Sequence, residues 1–188
     1  MNKYIVIGTI LVTFSFILLV NNKIEEKNAE HISSNTLNII KENLSEVKPI
    51  VMNNDKMEVM NIEGHNYIGT IVIPSLNLEL PVMEECNYEN LKKAPCKYYG
   101  SIYTNDLIIC GHSYKSHFKY LSNLNQNDKI VFVDANGIKH IYEVLEIEIL
   151  NPKEVEYMIN NNFDLTLYTC TSDGLNRLTV RCNRVNEF

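Results

Sequence analysis

Residues Asp164–Asp173 read DLTLYTCTSD, and this stretch decides the fold because it predicts one arm of a β-hairpin. Its apolar and polar side chains alternate, as they do along a strand with one buried face. Asp173-Gly174 favours a two-residue hairpin turn, since both positions tolerate positive φ. A second predicted strand covers Arg177–Val185. The hairpin therefore places Cys170 directly opposite Arg177, with both side chains on one face of the sheet.

The pairing of a cysteine with an arginine has chemical consequences. A neighbouring cation stabilises the thiolate, which is the nucleophilic form of cysteine. The guanidinium of Arg177 can also hydrogen-bond an oxyanion that forms when a thiolate attacks a carbonyl. A surface arginine beside a buried cysteine explains the same hairpin and remains the alternative. Arg181 lies four residues further along the strand, too far at about 3.3 Å per residue, and Arg184 points to the opposite face by parity.

Acyl transfer also needs a proton donor for the leaving amine, and histidine is the usual one. Among the five histidines, His112 in LIICGHSYKSHF follows a strand end and a glycine. Loops at the rim of a sheet often carry catalytic groups, so His112 is the first candidate. His117 in the same segment is the reserve candidate. His31 is assigned to the stalk, His65 to the segment before the first strand and His140 to the surface of a strand.

From Tyr67 onward the chain consists of short runs rich in strand-forming residues, separated by turn residues. Asn136-Gly137 between two of these runs is a strong hairpin signal. Many short strands with little helix predict a mainly β fold, either a closed barrel or a sandwich. The expected strands are Ile68–Ile73, Leu78–Val82, Leu107–Cys110, Lys129–Val133, Lys139–Ile149, Asp164–Thr171 and Arg177–Val185. Short helices are expected at Tyr88–Lys93, His117–Leu124 and Pro152–Asn160.

The N-terminal region contains an uncharged apolar run of 17 residues, Tyr4–Val20, near the lower limit for crossing a bilayer. Lys3 in front of it favours a cytoplasmic N-terminus. A cleaved signal peptide is the alternative, but its apolar region is normally shorter and no small-residue cleavage site follows here. The expected organisation is a cytoplasmic tip and transmembrane signal anchor at residues 1–21, a polar stalk at 22–62 and a β-rich domain at 63–188.

The stalk contains one amphipathic pattern. Apolar residues recur at 3-4-3 spacing and predict a helix that Pro49 ends. They are Leu37, Ile40, Leu44 and Val47. Whether this helix packs on the domain stays open.

Composition excludes one class of partner and makes the cysteines informative. A net charge of −6 and the lack of a basic patch argue against nucleic-acid binding. An odd number of cysteines in an exported chain leaves at least one thiol free, and no C-x-x-C pair indicates a zinc site. Cys110 ends an apolar run and is interpreted as a small buried hydrophobe. The five are Cys86, Cys96, Cys110, Cys170 and Cys182.

Three segments together resemble the sortases, a family of membrane-anchored cysteine transpeptidases that attach proteins to cell walls. TLYTC at Thr166–Cys170 is similar to the family's T-L-x-T-C strand, and RLTV from Arg177 is similar to its R-x-x-V strand. LIICGH followed by YKSHFKYLSNL resembles its histidine segment. YIGTIVIPSLNLELPV from Tyr67 is similar to its opening strands. The resemblance extends over residues 67–185.

The resemblance implies a closed sortase-type β-barrel of about eight strands with a few short helices, preceded by the transmembrane helix. Cys170 would be the nucleophile that holds the acyl group as a thioester, His112 the proton donor and acceptor, and Arg177 the group that stabilises the oxyanions. The implied partners are surface proteins with a sorting signal and an amine acceptor such as a peptidoglycan precursor. No cofactor is implied. The helix would lie in the cell membrane, with the catalytic domain at 63–188 outside.

The resemblance also bears on the class of sortase. Residues 21–66 lack the Asp-Pro-aromatic lid motif of many pilus-building members, and residues 151–163 leave no room for the long helical insertion of the class that takes N-P-x-T-N-like signals. A compact housekeeping-like or class D-like enzyme acting on an L-P-x-T-G-like signal is therefore favoured. The loop Asn151–Asn162 is expected to shape the substrate groove. Glu84 and Glu85 could bind calcium, but a solvated acidic pair is the favoured interpretation.

Two functions from other classes stay open. In an anchored cysteine hydrolase, water rather than an amine would resolve the thioester, and a supplied amine would give no ligated product. In a non-catalytic binding module, the barrel would have lost turnover, and Cys170 would react with alkylating probes no faster than an ordinary cysteine.

Overall fold

The computed structural model of this protein describes residues 3–46, 56–160 and 162–185. Its helices in these ranges are α1 (Lys3–Glu46), α2 (Tyr88–Leu91) and α3 (Val155–Ile159), with 3-10 helices at Pro74–Leu76 and Lys119–Asn123. Its strands there are β1 (Met60–Ile62), β2 (His65–Ile73), β3 (Leu78–Met83), β4 (Cys96–Tyr99), β5 (Leu107–Cys110), β6 (Lys129–Asp134), β7 (Lys139–Leu150), β8 (Leu165–Cys170) and β9 (Arg177–Arg184).

The strands form a closed barrel. Their order is β1-β2-β3-β4-β5-β8-β9-β7-β6, and an additional pairing of β2 with β6 closes the ring. Eight strands form this ring, because β1 extends it only by pairing with β2. The pairs β3–β4 and β5–β8 are parallel and the other pairs are antiparallel. The predicted mainly β, closed barrel of about eight strands with a few short helices is confirmed.

The barrel interior is filled by the apolar side chains that alternate along the strands. On β8, Leu165 and Leu167 are fully buried and belong to the main core cluster together with Val180 and Cys182 of β9. Each leucine or valine side chain contributes about 1.5–3 kcal/mol of hydrophobic stabilisation when it is removed from water. The alternate residues of β8 face outward, and Cys170 is one of them.

Two strands escaped the sequence prediction. β1 has three residues, and β4 has four with a half-exposed burial pattern, so neither shows a period long enough to recognise. The three expected helices are present in shorter form. The segment expected to be helical from His117 to Leu124 is a 3-10 helix at Lys119–Asn123.

α1 begins in the apolar N-terminal segment and continues without interruption to Glu46. It is long and apolar enough to cross a membrane, with a mean hydropathy of 2.2 over its most apolar window. The expected amphipathic helix is the C-terminal part of α1, although Val47 and Pro49 lie outside the described residues. The boundaries of anchor, stalk and domain at residues 21 and 62 remain predictions.

The C-terminal half of α1 packs on the barrel. Its buried positions recur at 4-3-4 spacing and include Ala29 and Ile40, both fully buried, and Ser33 and Thr36. Ile40 joins an apolar cluster on the outside of the barrel. Lys41 donates to Glu79 of β3 at 2.6 Å. The predicted amphipathic helix therefore packs on the barrel domain.

Candidate active site

Cys170 is the last residue of β8 and lies directly opposite Arg177, the first residue of β9. The predicted register of the hairpin is thus confirmed. The predicted two-residue turn is wrong, because the bend starts earlier: the Gly174 amide donates to the Thr171 carbonyl at 2.8 Å and the Thr171 amide to the Asn176 carbonyl at 3.0 Å. The four-residue loop changes neither parity nor register. Gly174 has a φ of +74°, a conformation that other residues rarely adopt.

The loop of this hairpin is stabilised by its own side chains. The Thr171 hydroxyl donates to the Asp173 carboxylate and accepts from the Asn176 amide at 3.0 Å. The same carboxylate accepts from the Leu175 amide at 3.0 Å. The hydrogen bond from Thr171 lowers the pKa of Asp173. These contacts hold the end of β8, and with it Cys170, in one geometry.

Arg177 is half-buried and engages no carboxylate among the described residues. Its guanidinium donates to the carbonyl of its own neighbour, Asn176, at 3.1 Å. It lines a cleft of about 220 Å³ whose wall is the segment between β7 and β8. The other residues of this cleft are Tyr98, Asn151, Pro152, Glu154, Val155, Met158 and Tyr168. Arg177 therefore lines this cleft and at the same time lies directly opposite Cys170 on the paired strand.

His112 follows β5 and Gly111, in the loop position that the sequence indicated. Its carbonyl accepts from the Phe118 amide at 3.1 Å, and its ring contacts Tyr114 and Tyr88 with centroid distances of 4.7 and 6.1 Å. A Cβ at position 111 would lie 2.6 Å from the Phe118 ring, so only glycine fits there. Burial lowers the pKa of His112, and the Glu25 carboxylate opposes this effect.

His112 and Cys170 line the same cavity, which has a volume of about 400 Å³. Its remaining wall includes Ser113, Tyr114, Lys119 and the residues Thr171–Gly174 of the hairpin loop. The Nε2 atom of His112 is buried and makes no hydrogen bond with the described part of the chain. The structure thus brings together a thiol and an imidazole with an uncommitted nitrogen, and it places the guanidinium across the strand pair from the thiol.

Two residues of α1 belong to the same cavity, and the sequence analysis did not find them. Asn22 and Glu26 line it, and the Glu26 carboxylate accepts from the Lys115 amide at 2.6 Å. Glu25 forms an ion pair with Lys92 at 3.7 Å. The sequence had assigned this segment to the stalk. The signal that could have indicated a contact is the acidic pair Glu25-Glu26, which begins five residues after the apolar run.

His117, the reserve candidate, lies elsewhere. It is 1% exposed and sits between α1 and the barrel, where its Nε2 is 3.2 Å from the Ser33 hydroxyl. That hydroxyl donates to the Lys93 carbonyl at 2.7 Å, so its oxygen must accept from Nε2–H. Burial lowers the pKa of His117 to about 4. His117 is therefore a neutral docking residue for α1.

His140 was expected on the strand surface, and this expectation is wrong. Its side chain is only 13% exposed, and its Nε2 lies 3.0 Å from the Asp134 carboxylate. The alternating pattern of β7 was misleading because His140 lies directly opposite Phe132, a fully buried core residue, and so shares its face of the sheet.

Arg181 and Arg184, the two alternatives to Arg177, both have hydrogen-bond partners within the protein. Arg181 is fully buried and pairs with Glu148 at 2.8 Å. Arg184 donates to the Ile102 carbonyl at 2.7 Å. Within residues 3–46, 56–160 and 162–185, no group of three or more histidine, cysteine or acidic side chains has the geometry of a metal site. The interpretation of Glu84 and Glu85 as a solvated pair remains a prediction.

The fold and the site define a class of protein: a closed β-barrel that carries a cysteine, a histidine and an arginine at one rim. The sortase domain family model matches residues 71–185, more than half of the chain. This chain belongs to the sortase family.

Individual relatives agree with this assignment. Sortase A of Bacillus anthracis is 30% identical over 126 residues, which are 63% of this chain and 60% of that protein. The structure of sortase A from Corynebacterium diphtheriae is similar with a TM-score of 0.59 and 27% identity, covering 66% of this chain and 63% of that one. Clostridium perfringens sortase C, solved with the C-terminal cell wall sorting motif, has a TM-score of 0.58 and covers 86% and 95% of the two chains. At 17% identity, that likeness concerns the fold alone. This chain spans about 60% of the length of its curated relative.

Proposed function

We propose that this chain is a membrane-anchored cysteine transpeptidase that cleaves a C-terminal, L-P-x-T-G-like sorting signal and transfers the cleaved protein to a cell-wall amine. The observation that supports the proposal most is the shared cavity of His112 and Cys170, with Arg177 opposite Cys170 on the paired strand. Nucleophile, proton carrier and oxyanion donor are the three groups that acyl transfer requires. The surface protein and the acceptor amine, a peptidoglycan precursor, are its two substrates.

The reaction proceeds in two acyl transfers. The Cys170 thiolate attacks the carbonyl carbon of the scissile peptide bond, and Arg177 stabilises the resulting oxyanion. His112 gives a proton to the leaving amine, the C–N bond breaks and a thioester to Cys170 remains. The incoming amine then attacks the thioester and loses its proton to His112, which restores the free enzyme.

The protonation state of His112 suits this cycle. Because burial lowers its pKa below 6.5, the imidazole is neutral at pH 7. A neutral imidazole can accept the thiol proton of Cys170 when substrate binds and then deliver that proton to the leaving amine. The Glu25 carboxylate favours the protonated form and so supports the step in which His112 carries the proton.

The cleft beside Arg177 is the site for the sorting signal. Its floor and wall combine aromatic and aliphatic side chains with one guanidinium, including Tyr98, Tyr168, Val155 and Met158. Such a surface suits an extended peptide with apolar side chains, whose backbone carbonyls Arg177 can bind. Five of the eight lining residues lie between positions 151 and 158, which supports a role of this segment in shaping the groove.

The position of the anchor supports a substrate that is also held at the membrane. If the bilayer-spanning segment ends near Val20, Glu26 lies about 9 Å further along α1 at 1.5 Å per residue. Asn22 and Glu26 line the cavity of Cys170, so the thiol sits close to the level of the membrane surface. The N-terminus is placed in the cytoplasm because Lys3 precedes the single span, and the barrel then lies outside.

The proposal is tested with the full chain in detergent micelles, a panel of sorting-signal peptides and a panel of amines that includes glycine and a diamino acid. We expect cleavage of L-P-x-T-G-like peptides and a ligated product whose mass contains the amine. The Cys170→Ala variant is expected to give neither product. Cleavage without ligation at saturating amine would identify the hydrolase instead. No cleavage, together with alkylation of Cys170 at the rate of an ordinary cysteine, would identify the binding module.

A further inference from the structure

The most exposed apolar side chains outside α1 lie at the rim that carries the candidate active site. Among the described residues outside α1, Leu175, Tyr88 and Ile149 have the largest exposed fractions of any large hydrophobic side chain, at 70%, 64% and 64%. Leu175 lies in the loop of the β8–β9 hairpin, and Ile149 lines a cavity of about 470 Å³ together with Cys170. The Tyr88 ring packs against the His112 ring. Single exposed apolar residues are ordinary, but a group of them at one end of the barrel marks an interaction surface.

Contacts along α1 show which end of the barrel faces the membrane. The Glu26 carboxylate accepts from the Lys115 amide, in the loop beside the rim, at 2.6 Å. Leu44 lies at the other end, where a Cβ on Gly137 would be 3.8 Å from its side chain, and Gly137 belongs to the hairpin at the end of β7 remote from the rim. Measured from Val20, where the apolar run ends, Glu26 and Leu44 are about 9 Å and about 36 Å along the helix at 1.5 Å per residue. The rim with the active site is therefore the end of the barrel nearest the bilayer.

The β8–β9 hairpin extends beyond this rim in the direction of the bilayer. β8 runs toward the rim and ends at Cys170, so the loop that follows continues past the thiol. Gly174 of this loop lines the cavity of Cys170 together with Asn22 of α1. Asn22 lies about 3 Å past Val20 along the helix, within a headgroup layer that is about 5–7 Å thick. Leu175, which follows Gly174, therefore reaches the level of the lipid headgroups.

We propose that the hairpin loop inserts Leu175 into the membrane interface and that the barrel rests on lipid through the rim patch, which consists of Leu175, Tyr88 and Ile149. The partner is a bilayer surface rather than a second protein, because the covalently attached α1 holds this end of the barrel against the bilayer. Apolar side chains gain by burial at the boundary of headgroups and acyl chains, and tyrosine is enriched there because its hydroxyl stays hydrated. This inference rests on the part of the proposed function that places α1 across the membrane.

Lysine side chains at the same level suit the same partner. Lys23, Lys27 and Lys115 line a cavity of about 440 Å³, which is adjacent to the active-site cavity because Glu26 lines both. None of these three ammonium groups pairs with a carboxylate within the described ranges. Unpaired lysines beside a bilayer are attracted to the phosphates of anionic lipids. The apolar patch is thus accompanied by cations that face the headgroup layer.

The acidic residue of the hairpin loop does not oppose insertion of its neighbour. Asp173 is the single acidic residue between β8 and β9. Its carboxylate accepts from the Leu175 amide at 3.0 Å, and the residue lines the active-site cavity. The charge is therefore held on the hydrated side of the loop, while the Leu175 side chain is left exposed.

The chain contains no tryptophan, so a single introduced tryptophan reports its own surroundings. The full chain with Leu175→Trp is reconstituted into vesicles of phosphatidylcholine and phosphatidylglycerol whose acyl chains are brominated at defined depths. We expect a blue-shifted emission and a loss of fluorescence that is largest with bromines close to the headgroup. The matched control is Lys139→Trp, at an exposed position of β7 at the far end of the barrel, which should show neither change.

Because tryptophan itself favours the interface, the wild-type loop is tested as well. The vesicles then contain a lipid with a photoactivatable carbene precursor near the headgroup, and adducts are mapped by proteolysis and mass spectrometry. We expect adducts on α1 and on residues 171–176, and Leu175→Asp should lose those on the loop while it keeps those on α1. Adducts on α1 with none on the wild-type loop would overturn the inference.

A tryptophan within the apolar run separates this inference from the proposed function. Quenching in Phe14→Trp without quenching in Leu175→Trp would overturn the inference and leave the membrane anchor in place. Quenching at neither position would remove the anchor itself, and the inference would fail with it. Quenching in Lys139→Trp as strong as in Leu175→Trp would show that the barrel meets lipid in no fixed orientation, which also contradicts the inference.

Discussion

β9 carries two arginines on one face, and the protein uses them in opposite ways. Arg181 is fully buried and makes four hydrogen bonds, to Glu148, Thr166 and the carbonyls of Tyr157 and Met158. Arg177, four residues earlier, is half-buried and donates to the carbonyl of its own neighbour. The difference is one of position along the strand: Arg181 lies beneath α3, and Arg177 lies at the rim.

The contrast shows what marks a guanidinium as available for substrate. The donors of Arg181 are committed to strands and to α3, so this residue holds the wall of the cleft in place. The donors of Arg177 can turn from one backbone carbonyl to a substrate oxyanion at small cost. Residue type and strand face are the same in both cases, and only the number of fixed partners separates a structural arginine from a candidate catalytic one.

The two histidines after β5 repeat the contrast. His117 is buried under α1 and hydrogen-bonded to Ser33, whereas His112 lines the cavity of Cys170 and its Nε2 makes no hydrogen bond with the described part of the chain. Rim residues therefore should control turnover and buried residues should control stability. The following changes test that division, from the largest expected effect to the smallest.

Replacing Cys170 by alanine should reduce peptide cleavage by about 10³-fold or more, because no other group at the rim can form the thioester. Stability should change little, since Cys170 is only half-buried. Cleavage is followed by mass spectrometry, with Cys86→Ser under reducing conditions as the matched control that retains turnover. Undiminished thioester formation in Cys170→Ala would remove this cysteine from the mechanism.

Replacing Arg181 by methionine should lower the free energy of unfolding by about 3–5 kcal/mol, because Glu148 would be left without its partner in a largely buried site. The measurement is chemical denaturation of the full chain in detergent. Arg177→Lys serves as the control and should change stability by less than about 0.5 kcal/mol. An equal loss of unfolding free energy in the two variants would contradict the assignment of Arg181 as structural and Arg177 as catalytic.

Lowering the pH should destabilise the protein through His117. Its pKa is about 4 when folded and 6.5 in the reference state, so the unfolded chain binds more protons between these values. The free energy of unfolding should therefore fall as pH drops from about 6.5 to about 4, by about 3 kcal/mol from this residue. Denaturation curves of His117→Gln should lose this component, while the smaller part from His112, which has the same sign, remains. A variant with the pH dependence of the wild type would contradict the buried neutral state.

Replacing Arg177 by lysine should lower kcat/KM by about 10²-fold, because the charge remains while the forked donor geometry for the oxyanion is lost. Peptide binding should weaken less than kcat falls if the main role lies in the transition state. Turnover at the wild-type rate would exclude Arg177 from the mechanism and favour the alternative that it is an ordinary surface arginine.

Local patterns predicted more of this protein than long-range ones. The alternation of β8 and the turn residues after it place Cys170 opposite Arg177, and the error in turn length left the register unchanged because the loop grew by two residues. His112 was recognisable from a glycine and a strand end. The two missed strands, β1 and β4, are too short to show a period.

The contacts of α1 were beyond prediction for a different reason. The bond between Glu26 and Lys115 joins residues 89 positions apart, and the Ser33–His117 contact spans 84. Spacing within the helix predicts that one stripe is apolar but not which surface will cover it. The pairing of Cys96 with Cys110 depends in the same way on how two separate segments meet in the barrel.

The sequence by itself determined the apolar helix, the barrel strands and the hairpin that pairs a thiol with a guanidinium, because each depends on side-chain periodicity or turn chemistry over a few residues. Only the tertiary structure decided which arginine and which histidine keep few fixed partners, and that α1 lines one side of the cavity. Those outcomes depend on burial and on partners from distant segments, and both come into existence only when the chain has folded.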